Sequence, residues 1–124
     1  MHMERRYFIY LHERDSYDLH HFNEILRSVS KHFVIDFDEE EPLFIFLNTV
    51  ENGLYPHYII VDLYEAQQVR AFITKLHSRK QLSPIPLLVL RDRGEDLPTY
   101  KNVEVFRRPR NSITWRALVH KLLE

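Results

Sequence analysis

Charged side chains collect at the carboxyl ends of the apolar runs in this sequence. Tyr7-Phe8-Ile9-Tyr10-Leu11 leads straight into His12-Glu13, with Asp15 close behind. The run Tyr58-Ile59-Ile60-Val61-Asp62-Leu63 holds a carboxylate near its end, between two apolar neighbours. Leu87-Leu88-Val89-Leu90 ends in Arg91-Asp92, and Val103-Glu104-Val105-Phe106 ends in Arg107-Arg108-Pro109. A carboxylate at the tip of a central strand is costly unless something pairs it. Neighbouring tips converge in a parallel sheet, so Glu13, Asp62, Arg91 and Arg108 are candidates for one cluster. Two chemistries fit that cluster. Glu13 and Asp62 can hold a hard cation through oxygen, or an arginine can hold Asp62 as an ion pair.

Other residues of chemical interest carry weaker patterns. The eight histidines include the adjacent pair His20 and His21, which face different directions on a helix. No HxxxH or HExxH spacing occurs, so a histidine metal centre is not expected. No Ser-His-Asp arrangement is visible, and an enzyme is not expected. Arg107, Arg108, Arg110 and Arg116 form a local basic patch. No recognition helix or aromatic platform accompanies it, so the patch reads as solvated or partner-facing, and no nucleic-acid partner is expected. Phe46 and Tyr64 fit the apolar stripes poorly and are expected on an exposed contact surface.

Strands and helices alternate to place these tips. Five β-rich runs begin at Tyr7, Phe33, Tyr58, Leu87 and Val103. The third and fourth are almost continuously apolar, as strands covered on both faces are. The second and fifth alternate, as edge strands do. Between them Leu19, Phe22, Leu26 and Val29 mark one amphipathic helix, with Asp15 or Ser16 as its N-cap. Leu43, Leu47, Val50 and Leu54 mark a second, opened by Pro42 in its first turn and stopped near Gly53. Val69, Phe72, Ile73 and Leu76 mark a third. Trp115, Leu118, Val119 and Leu122 mark the last, capped by Asn111 or Ser112. The acidic run Asp36 to Glu41 is a solvated loop feeding a helix N-terminus, where negative charge is favoured.

This order predicts an α/β fold: one three-layer, doubly wound domain over residues 1–124 on a five-stranded parallel sheet. Ligands of such sheets bind beyond the carboxyl ends of the strands, where strand order reverses. A chain of 124 residues with 44% hydrophobic and 28% charged residues is long enough to bury a core. Its formal net charge of -1 gives no general attraction to nucleic acid or anionic lipid. Without cysteine there is no disulfide, which fits a reducing compartment. No stretch approaches the roughly 20 apolar residues of a spanning helix, so a cytoplasmic protein without a membrane partner is expected.

Taken together, the five strand ends resemble the receiver domain of two-component response regulators. Phe8-Ile9-Tyr10-Leu11-His12-Glu13 is similar to the opening strand with its acidic pair, and Tyr58 to Leu63 to the strand bearing the phospho-accepting aspartate, here Asp62. Leu87 to Arg91 resembles the strand that normally ends in Thr or Ser. Phe106-Arg107-Arg108-Pro109 resembles the last strand, which normally ends in Lys-Pro with a cis peptide. The resemblance covers essentially the whole chain and implies strand order 2-1-3-4-5.

The departures from that pattern bear on chemistry. His12 replaces the first acid, Arg91 stands where the small hydroxyl belongs, and Arg108 replaces the lysine. The turn after Asp62, Leu63-Tyr64-Glu65-Ala66-Gln67-Gln68, lacks the usual Pro and Gly. Arg91 and Arg108 are only seventeen positions apart, so the fourth helix of the family is expected to be shortened or missing. Family chemistry at Asp62 needs Mg²⁺ held by carboxylates, here Glu13 and Asp62. A guanidinium about 4 Å from the metal opposes it by on the order of 4 kcal/mol at an effective dielectric near 20, roughly a thousandfold in affinity. The expectation is a degenerate pocket of His12, Glu13, Arg91, Arg108 and Pro109 around a vestigial phosphoacceptor. No resident cofactor is then expected, Mg²⁺ entering only if the pocket works.

The resemblance implies a signalling module that acts through protein contacts, with a histidine kinase or another signalling protein as partner, or with a second copy as a homodimer. Because the chain ends within its last helix, a stand-alone module is expected. An orthodox receiver phosphorylated on Asp62 is the second reading. A flavodoxin-like cofactor binder is the third, disfavoured because His12-Glu13-Arg14-Asp15-Ser16 puts carboxylates where a flavin phosphate would sit.

Overall fold

A computed structural model describes residues 7–13, 16–29, 32–50, 54–92 and 98–124, with the side chains of residues 16–19 left undescribed. Five strands, β1 (Tyr7–His12), β2 (Phe33–Phe37), β3 (Tyr58–Asp62), β4 (Leu87–Arg91) and β5 (Val103–Arg107), form one parallel sheet in the order β2-β1-β3-β4-β5. Among the described residues four helices accompany them: α1 (Ser16–Val29), α2 (Glu40–Thr49), α3 (Ala66–His77) and α4 (Ser112–Leu123). None is long and apolar enough to cross a membrane.

The two-residue period of the strands sorts the core into two layers. Ile9, Leu11, Ile59, Val61, Leu87 and Val89 point to one face and pack on Leu43, Leu47, Phe72 and Ile73 of α2 and α3. Phe8, Tyr10, Ile60, Leu88 and Leu90 point to the other and pack on Phe22, Leu26, Trp115 and Leu118 of α1 and α4. β3 and β4 are buried almost throughout because helices cover both of their faces. The expected edge strands are the observed ones.

Helix boundaries follow local chemistry where caps exist. The Asn111 side chain accepts the Thr114 amide at 2.9 Å, and the Thr114 hydroxyl lies 3.2 Å from the Asn111 amide nitrogen, a reciprocal cap for α4. At α3 the Glu65 amide donates to the Gln68 side chain at 3.4 Å, the return half of such a cap. Asp15 and the stop at Gly53 lie outside the described residues, as do the side chains of Ser16 and Leu19.

Three expectations fail on packing. The second helix ends at Thr49, and Val50 is already extended at φ −70°, ψ 128°, so Val50 and Leu54 do not continue its stripe. Leu54 is 70% exposed. Their spacing fits a helical period, but the chain must leave the helix there to enter β3. Val29, the last residue of α1, is exposed rather than core, since the stripe runs out at the helix end. Phe46 is packed, not free: its ring lies edge-on to Tyr7 and against Phe37, at 6.3 and 5.9 Å.

Between β4 and β5 no helix stands among the described residues. The connection returns through Asn102, whose φ of 61° is the left-handed conformation that Asn tolerates. On the face of β5 that Val103 shares with Val105, Val103 packs against the core and Val105 does not. Val105 is 51% exposed although its register partner Val89 is fully buried.

Candidate functional site

Asp62 ends β3 in register with His12 of β1 and is 1% exposed. Strand parity points its side chain, like those of Ile60 and Tyr10, toward α1 and α4. Arg108, just past β5, continues the row of Phe106 on that same side. The Arg108 Nη2 reaches Asp62 Oδ2 at 3.1 Å, with the two side chains 10% and 2% exposed. The Tyr10 hydroxyl donates to the same Oδ2 at a long 3.4 Å. Asp62 is therefore a buried carboxylate engaged from two sides.

Arg91 belongs to the opposite row, that of Leu87 and Val89. It is 5% exposed, and its guanidinium donates to the Leu63 carbonyl at 2.7 Å and the Tyr64 carbonyl at 3.2 Å. It thus binds the backbone where the chain leaves β3 for α3. Glu13 anchors the same loop, its Oε2 accepting the Tyr64 amide at 3.1 Å, while its own amide donates to the Asp62 carbonyl at 3.3 Å. The Arg108 amide donates to the Arg91 carbonyl at 2.9 Å, which joins the ends of β4 and β5. Pro109 is buried beside them, and its peptide bond is trans, not the cis bond of the family pattern.

His12 is 8% exposed. Its Nε2 lies 3.4 Å from Asp36 Oδ2, and its ring meets Tyr10 edge-on at 5.3 Å. The histidine that replaces the first acid is consequently tied to β2.

The predicted residues do converge at the strand ends, but in two groups. Asp62, Arg108 and Tyr10 form one, and Glu13 and Arg91 clamp the Leu63-Tyr64 loop in the other. Sequence reasoning missed Tyr10 and Asp36. Tyr10 had a readable signal, since it lies two positions before His12 and so shares the face of Asp62, the register neighbour of His12. Asp36 had none, because it was absorbed in an acidic run.

These residues do not fit a Mg²⁺ site. Octahedral oxygen ligation needs carboxylate oxygens turned to one point. Glu13 Oε2 is turned to an amide and Asp62 Oδ2 to a guanidinium. Among the described residues no group of three His, Cys, Asp or Glu is placed to hold a metal. A cavity of ≈ 420 Å³ opens beside the tips on the α2/α3 side, and Glu13, Asp38, Glu39 and Glu40 line it. That acidic lining disfavours a phosphoryl anion, and Asp62 is not part of it.

Comparison with solved structures gives the same architecture. The signal receiver domain of a signal transduction histidine kinase from Syntrophus aciditrophicus is similar over 95% of this chain and 89% of its own, with a TM-score of 0.65 and 16% sequence identity. The fold is receiver-like. No protein-family model matches the chain, and no curated protein matches it.

Proposed function

We propose that this chain is an atypical receiver module of two-component signal transduction, working through protein contacts and not through phosphorylation of Asp62. The receiver-like fold supports the signalling class, and one observation carries the atypical part. Arg108 and Tyr10 both engage one carboxylate oxygen of the buried Asp62, the side chain that a phosphoryl group would have to reach.

Phosphoryl transfer to Asp62 needs a solvent path to the carboxylate, a free oxygen as nucleophile, and a cation against the developing charge. Asp62 is 1% exposed, and the charge beside it is a guanidinium fixed to the chain. Arginine grips carboxylates more rigidly than lysine does, so the pair holds one state of the pocket. Arg91 and Glu13 hold the following loop in one arrangement as well. The partner is a protein, a histidine kinase or another signalling component, and the module has no catalytic role of its own.

Amide NMR spectra of the ¹⁵N-labelled protein test this reading, recorded with Mg²⁺ alone and then with Mg²⁺ and beryllofluoride. Spectra unchanged by both additions are expected. Shifts centred on Glu13, Asp62 and Arg91, abolished by Asp62→Asn, would establish an orthodox phospho-receiver instead.

A further inference from the structure

The two edges of the sheet are protected very differently. An edge strand offers an open row of backbone N–H and C=O groups, which natural proteins blunt with charges, proline or a bulge. β5 carries Glu104, bridged to Lys121 at 2.7 Å, and Arg107. β2 reads Phe33-Val34-Ile35-Asp36-Phe37. Its single charge, Asp36, is turned to His12, and Phe33 is 44% exposed.

β2 is also nearly a palindrome. Phe33, Ile35 and Phe37 share one face, in register with Tyr7, Ile9 and Leu11. Other rings steady both phenylalanines: Phe33 stacks on Tyr7 at 5.7 Å and Phe37 meets Phe46 at 5.9 Å. His32 stands immediately before the strand and Asp38 immediately after it.

We propose that the β2 edge pairs antiparallel with β2 of a second copy, centred on Ile35, giving one continuous sheet across a twofold axis. A twofold axis perpendicular to a sheet keeps each face on its own side. Phe33 then lies opposite Phe37 of the second copy, twice, and Ile35 lies opposite its own counterpart. Cross-strand aromatic and β-branched pairs of this kind stabilise antiparallel sheets. Val34 falls opposite Asp36, so the two Asp36 carboxylates do not oppose each other. At each end His32 meets Asp38, a complementary pair that favours this orientation and register. Self-complementarity of one patch is what an isologous interface requires, and it singles out a second copy over an unrelated strand. The inference is independent of whether Asp62 is phosphorylated.

Sedimentation equilibrium of the full chain over a concentration series tests it. A monomer–dimer equilibrium is expected, with Phe33→Lys raising its dissociation constant at least about tenfold while the circular dichroism spectrum stays unchanged. Asp38→Lys weakens the dimer, and adding His32→Asp restores it. Because the chain has no cysteine, Ile35→Cys supplies a single thiol, expected to give a disulfide-linked dimer on mild oxidation. Ile113→Cys, 79% exposed on α4, is expected to stay monomeric on a non-reducing gel. A wild-type chain monomeric at every concentration overturns the proposal. So does a dimer that survives Phe33→Lys and is trapped by Ile113→Cys.

Discussion

Arg108 Nη2 stands 3.1 Å from Asp62 Oδ2, across the width of β4, in a setting where both side chains are nearly out of solvent. Two charges taken from water have lost hydration, and their mutual attraction only roughly restores it. The pair consequently specifies an arrangement more than it adds stability, and breaking it on one side is costly.

Arg108→Ala leaves the Asp62 carboxylate buried without its guanidinium. A loss of about 3–5 kcal/mol is expected, read as a lower urea midpoint at unchanged slope. The double variant Asp62→Leu with Arg108→Met, which removes both charges and keeps volume, is expected to recover most of that loss. A double variant destabilised by the sum of the losses of Asp62→Leu and Arg108→Met alone would show that the two residues are not coupled.

Arg91→Ala removes both donors from the Leu63 and Tyr64 carbonyls. An unsatisfied buried carbonyl costs about 1–3 kcal/mol. The expected signature is local, namely faster amide exchange from residue 63 to the first turn of α3, with little change in β1. Glu13→Gln weakens the same loop less, because that residue is exposed.

Asn111→Ala deletes the side-chain acceptor of the Thr114 amide. Loss of an N-cap typically costs about 1 kcal/mol. Its effect is expected in thermal unfolding, while Ser112→Ala, at the neighbouring position, changes the midpoint much less.

Burial, followed by the nearby Tyr55, raises the Tyr7 phenol above its ordinary value of 10.0. A group that holds its proton more tightly when folded contributes stability that is fully present below the unfolded value. That contribution is lost as pH rises through the higher folded value. The Tyr7 hydroxyl also donates to the Leu54 carbonyl at 2.6 Å. The stability advantage of wild type over Tyr7→Phe is therefore expected to hold to about pH 10 and to shrink above it. Denaturant midpoints of the two proteins across that range check the sign.

Strand parity explains how the site divides. Tyr10, Asp62 and Arg108 continue the rows that face α1 and α4, whereas Arg91 continues the row of Leu87 and Val89. Alternation along a strand is a property of the backbone, so this sorting was already present in the sequence. Reading the strand tips as one cluster passed over it. The residue pattern sufficed for the five strands, the two edges, a cap at Asn111 or Ser112 and the buried β3 and β4, because each rests on a local period or a cap within a few residues. The strand order came only with the family resemblance.

Only the tertiary structure decided the rest. That Leu54 is bare, that Phe46 is held by Tyr7 and Phe37, and that His12 turns to Asp36 on the neighbouring strand are contacts between distant segments. Likewise, Asp62 pairs with an arginine forty-six positions later because β4 and β5 are laid side by side beyond β3. A sequence states which groups exist and which way each strand turns them. Which oxygen meets which guanidinium depends on how neighbouring strands are laid in register and how closely helices cover them, and that is fixed only when the whole sheet is packed.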